Sequence, residues 1–182
     1  MPKGYATQFS EIPSALGDNA RLRDRVLDLI KRDPIPGKVL EGGNRLATFR
    51  SLIARVMSGQ VSIAEAYRQA EVELPRQQSP HSASNRVFPS GWGERLVRTQ
   101  ISRFYNQAVL ELTVEDGIAS VDVPHSSEED SSSDCTRLLA GGRHDAKQLL
   151  ERLVRAYAQG DFSMQDPKVP HHPHCTHVVV PA

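Results

Sequence analysis

Arg95-Leu96-Val97-Arg98-Thr99-Gln100-Ile101-Ser102-Arg103-Phe104-Tyr105-Asn106-Gln107-Ala108 is the most periodic stretch of the 182-residue sequence. Leu96, Val97, Ile101, Phe104, Tyr105, Ala108 and Leu112 recur at three- and four-residue intervals, which predicts a long helix from about Gly93 to Val114. Glu115-Asp116-Gly117 closes it, and Ile118 to Val123 then alternates with the two-residue period of a strand. A second β-branched run, His177 to Val180, stands near the other end. Antiparallel pairing of the two runs would make a small β-hairpin near the carboxyl terminus. The fold class expected is therefore α+β, mainly helical.

Working outward, Asn19 to Arg32 reads as a helix with Leu22, Val26, Leu29 and Ile30 on one stripe, stopped by Asp33-Pro34. A second helix runs from about Asn44 to Met57 on Leu46, Phe49, Leu52, Ile53 and Val56. Ser62 and Glu65 have the spacing of a capping box and open a third, ending near Val72. A fourth, from about Asp145 to Gln159, buries Leu149, Leu150, Leu153, Val154 and Tyr157. Residues 1–20, with Pro2, Gly4, Pro13 and Gly17, read as an extended arm. The divisions expected are that arm, a helical region over 21–74, a linker over 75–90 and a carboxyl-terminal module over 91–182.

Composition bounds the function. The net charge is zero, and no apolar run is long enough for a transmembrane helix, so no membrane partner is expected. Met1-Pro2-Lys3-Gly4 has no secretory character, so the two cysteines, Cys135 and Cys175, are expected in a reducing cytoplasm as thiols or metal ligands. Charge is uneven: bases outnumber acids nine to four from Arg21 to Arg55, and Glu111 to Asp134 holds eight acids and no Lys or Arg. Either the segments meet different partners or they are solvated faces of opposite sign.

Four of the seven histidines gather beside a cysteine in His171-His172-Pro173-His174-Cys175-Thr176-His177. Imidazole and thiolate are the preferred ligands of tetrahedral zinc. If the two strands pair, Cys135 folds back toward this run. Candidate ligands are then Cys135, Cys175, His177 and a fourth from His172 or His174, with His172 the choice for a converging set. Arg98 is expected to tie the long helix to the hairpin by donating to backbone carbonyls.

Arg98-Thr99-Gln100, Asn106-Gln107, the strand, the acidic turn, Cys135 and the His172 to His177 run stand in the order seen in the carboxyl-terminal module of the phage Mu F-type minor head proteins. The chain resembles that family over roughly Trp92 to Pro181. Gln100 stands where the family has an acid, Leu138 where it has a second cysteine, and His177 where it has a last cysteine, a change that keeps a metal ligand. The resemblance implies a non-enzymatic component of the virion's capsid interior, assembled in the host cytoplasm. It implies association with the portal protein and the major capsid or scaffold protein, in head assembly and genome packaging or delivery. Contact of Arg21 to Arg55 with packaged DNA would be non-specific. The alternatives are a small metal-dependent nuclease, for which Asp134 and His144 are the nearest acid–base pair, and a cytosolic DNA-binding protein built on the amino-terminal helices.

Overall fold

The computed structural model describes residues 4–160 and 166–182. After a short 3-10 turn at Phe9–Glu11, the helices are α1 (Ile12–Asp18), α2 (Ala20–Arg32), α3 (Arg45–Met57), α4 (Ile63–Glu73), α5 (Trp92–Glu115), α6 (Asp134–Leu139) and α7 (Ala146–Gln159). The strands are β1 (Ser120–Val123), β2 (Gly142–Asp145) and β3 (Val180–Pro181), in the order β2-β1-β3 and antiparallel throughout. The fold is α+β and mainly helical, as the sequence predicts.

The α5 helix is the axis. Val97, Ile101, Phe104, Tyr105, Ala108, Val109, Leu110 and Leu112 are all buried, and so are Gln100, Ser102, Arg103, Asn106 and Gln107 between them. A helix covered on nearly all sides must find partners for its polar side chains, because an unpaired buried polar group costs about 1–3 kcal/mol. Asn106 Oδ1 accepts from the Val179 N–H at 2.8 Å, while its Nδ2 donates to the Ser102 carbonyl at 2.7 Å. Arg103 donates to the Pro34 carbonyl at 2.6 Å, and its guanidinium lies over the Phe104 and Tyr157 rings at 4.4 and 4.6 Å. Burial pushes the Arg103 pKa down to about 10, which leaves it charged at neutral pH. Gln107 donates to Asp33 at 2.7 Å.

The cap on α2 is Asn19, whose side chain accepts from the Leu22 N–H at 3.0 Å, and the one on α4 is Ser62, accepting from Glu65 at 3.2 Å. Leu46 and Val154, placed on buried stripes by periodicity, sit at their margins and are exposed.

Two expectations need correction, and the expected hairpin is extended. The extended arm is not found: among its described residues α1 forms, and Ala6, Phe9, Ile12, Ala15 and Leu16 join the core. (Met1 to Lys3 lie outside the described residues.) Pro13 lies in the first helical turn, where its missing N–H has no intrahelical acceptor to lose. The Ala6 N–H donates to Tyr105 Oη at 2.7 Å and the Phe9 N–H to the Thr176 carbonyl at 2.9 Å, so this segment clasps both α5 and the chain's other end.

The 75–90 stretch is irregular but does not separate two bodies, because one core cluster runs from Ala6 to Val179. Phe88 is buried there, with the Arg45 and Arg76 guanidinium groups over its ring and Trp92 against its edge.

The hairpin becomes part of a three-stranded sheet. β1 pairs with β3 at Val121–Pro181 and Asp122–Val180, and with the unforeseen β2 from Ser120–Asp145 to Val123–Gly142. Gly142-Arg143-His144-Asp145 carries no strand-forming side chain; pairing with β1 holds it, helped by an Arg143–Asp122 ion pair at 2.8 Å. Val178 and Val179 are buried without joining the ladder, since Val179 bonds to α5 instead.

The basic segment is largely bonded within the molecule. Arg21 pairs with Asp116 at 2.8 Å and Arg25 with Glu111 and Glu115 at 3.0 and 2.8 Å. Arg32 reaches Asp28 and Glu111, and Arg55 pairs with Glu73. Arg45 donates to the carbonyls of Val39, Leu74 and Pro75, while Arg50 donates to those of Ile30 and Asp33.

Asn106→Leu should destabilise the fold by about 1–3 kcal/mol, because it strands the buried Val179 N–H; equilibrium urea unfolding measures this. Phe9→Ala should cost about 3–5 kcal/mol by opening a cavity in a core to which an arm would contribute nothing. The same unfolding experiment reads both.

Candidate metal centre

Cys135 lies in the first turn of α6, whose cap is Ser133. Cys175 and His177 lie on the approach to β3, where alternate residues of an extended chain face one way. The β1–β3 pairing and the bond from Val179 to Asn106 fix this approach beside α6. The ligand atoms of Cys135, Cys175 and His177 all lie within 4.8 Å of one another, and all three residues are buried. Two sulfurs and one imidazole in a buried cluster are a donor set suited to a soft or borderline divalent metal.

Hydrogen bonding orients the imidazole. His177 Nε2 sits 2.9 Å from Glu129 Oε2, and Nδ1 faces the sulfurs, 3.8 Å from Cys175 Sγ. The carboxylate can only accept, so Nε2 carries the proton and Nδ1 keeps its lone pair toward the cluster. This is the arrangement of a metal-ligating histidine held by an outer carboxylate. Glu129 is itself fixed by the Ser126 N–H at 3.0 Å and by His125 Nδ1 at 2.8 Å.

The sulfurs are polarised unequally. A hydrogen bond from Cys175, opposed by burial and reinforced by His172, His177 and Ser133, holds the Cys135 thiol well below the usual range. Donation to Cys135 and burial push the Cys175 thiol up. Between them the pair favours a negative sulfur at Cys135, the thiolate form that binds metals. Burial works to lower the His177 pKa, but bonds to Cys135 and Glu129 outweigh it and the net shift is upward.

The other histidines are placed differently. His172 Nε2 is 3.1 Å from Cys135 Sγ, yet His172 is not in the set whose ligand atoms are all mutually close. His174 is exposed, and His171 is buried with both ring nitrogens unpartnered. The sequence thus brings Cys135, Cys175 and His177 together with His172 at the flank. Glu129 and Ser133, whose hydroxyl is 3.2 Å from Cys135 Sγ, are participants that sequence reasoning missed. Only their place in the acidic, serine-rich loop before Cys135 hinted at them.

Arg98 does not bond to the carboxyl-terminal strand. Its guanidinium stacks over Phe9 at 4.6 Å and bonds to the Tyr67 hydroxyl, because its face of α5 turns toward α4 and the amino-terminal turn. Asn106, two turns along, makes the tie expected of Arg98. Asp134 pairs with Arg137, and His144 Nε2 lies against the Leu139 carbonyl, so each is engaged locally. No helix among the described residues is long and apolar enough to cross a membrane.

Comparison of the chain with family models, curated proteins and solved structures finds no match.

Glu129→Gln should weaken metal binding by about 10–100-fold, the usual cost of losing an outer carboxylate, with the fold intact. Competition against a chromophoric chelator measures it.

Proposed function

We propose that this chain is a metal-stapled structural protein of a tailed-phage head, a minor head protein acting with the portal inside the capsid, and that the metal is zinc. The observation that carries the reading is the convergence of Cys135, Cys175 and His177, drawn from two segments 40 residues apart in the chain. Zinc fits two thiolates and an imidazole and adds no redox chemistry to a structural part. The segments concerned are the ones that resemble the Mu F-type module. Asn106, in the helix motif of that resemblance, binds Val179, just beyond its histidine–cysteine run.

A staple makes physical sense in this lobe. The loop from Pro124 to Ser133 is polar, β3 has two residues, and α6 has six. With so few backbone ladder bonds to hold these segments, a bound ion adds a cross-link between α6 and the approach to β3. Pairing of Arg21, Arg25 and Arg32 with carboxylates of α2 and α5 leaves that segment poorly suited to phosphate, which supports a protein partner such as the portal over packaged DNA.

Protein purified without chelator should contain one zinc per chain. Stripping it should lower stability by about 3 kcal/mol relative to protein in zinc at a hundred times the Kd, seen as a fall in Tm that zinc reverses. Co-expressed with the portal and major capsid proteins of its phage, the chain should sediment with portal-containing heads. Sedimentation alone at the top of the gradient would overturn the head-protein assignment.

A further inference from the structure

His172 and His177 both carry the ring proton on Nε2 but turn opposite nitrogens toward the sulfurs. His172 Nδ1 accepts the His174 N–H at 3.2 Å, so the ring proton belongs on Nε2, which points at Cys135 Sγ at 3.1 Å. A histidine ligating through Nε2 shows the reverse pattern, with Nδ1 donating to an outer acceptor. His172 is therefore built as a donor to sulfur, while His177 presents a bare nitrogen. Three ligands remain for an ion that takes four.

A cavity of about 350 Å³ opens beside them, lined by Cys135 and His177 and by Arg98 and His174. Arg98 brings a fixed positive charge, and its Nε is buried without a partner. Of the two acids on the lining, Glu128 and Asp130 are both exposed at the rim, and Asp130 already accepts from the Ser132 N–H and hydroxyl at 2.8 and 2.7 Å.

We propose that the centre is a three-ligand site, Cys135, Cys175 and His177, whose fourth coordination position opens into this cavity and takes a small exchangeable carboxylate, with His172 donating to the Cys135 sulfur and Arg98 favouring the anion. This rests on the metal reading above. The ion still cross-links the two segments through its three protein ligands, and its remaining position accepts an exogenous ligand.

Cobalt(II) replaces zinc and reports its coordination through visible d–d bands, which serves as the readout. The full-length protein loaded with Co2+ should shift those bands saturably on titration with acetate. Arg98→Gln should weaken the acetate response roughly tenfold or more while leaving Co2+ affinity within error, and Arg98→Lys should retain the response. His172→Ala should weaken Co2+ binding by about 10–100-fold and still show the acetate shift; His172→Gln, which keeps an N–H donor, serves if that variant does not fold.

A wild-type spectrum blind to acetate, with a response appearing only once His172 is replaced, would make His172 the fourth ligand and overturn the proposal. Blindness in every variant would overturn it too. Failure of Co2+ to bind at all would instead bring down the metal reading on which it stands.

Discussion

Burial of a 24-residue helix rich in hydrogen-bonding side chains is the constraint from which the rest of this structure follows. The α5 helix sits inside the molecule, so its buried polar side chains call for partners, and several of those partners lie on other segments and fix them. Asn106 holds the approach to β3, Tyr105 the amino-terminal turn, and Arg103 and Gln107 the end of α2. An apolar helix of the same length would pack as well but would leave these segments free to slide. The polar contacts set register, while the surrounding Leu, Val, Ile and Phe side chains supply the driving force.

The metal centre inherits its geometry from this arrangement. Val179 is anchored to Asn106, so Cys175 and His177, just upstream, enter at a fixed height beside α6. Glu129 then holds the His177 ring from the far side of the cluster. Neither the two-residue β3 nor the six-residue α6 would position a ligand alone. The site is thus placed by long-range contacts made elsewhere and closed by short-range ones.

This division explains what could be read in the sequence. The major helices announced themselves by period, and α3, α4 and α7 begin or end within a residue or two of the expected places. The pairing of β1 with β3 followed from two β-branched runs, and the approach of Cys135 to Cys175 followed from that pairing. What stayed hidden depends on partners distant in the chain. Gly142-Arg143-His144-Asp145 becomes a strand only because β1 offers it an edge. Glu129 looked like one acid among many, since nothing local links it to His177, 48 residues on. Pro13 looked like punctuation because a proline at a helix start and one in a loop are spelled alike. Arg98 and Asn106 share a motif, but which of them faces the carboxyl-terminal strand depends on how α5 is rolled in the core, which periodicity alone does not fix.

The measurement that bears most directly on the account is X-ray absorption at the zinc edge of protein purified from zinc-containing medium without chelator. The account predicts two sulfur scatterers at about 2.3 Å and nitrogen or oxygen scatterers at about 2.0–2.1 Å completing a four-coordinate sphere. A protein carrying no metal, or a metal surrounded by nitrogen and oxygen alone, would contradict it.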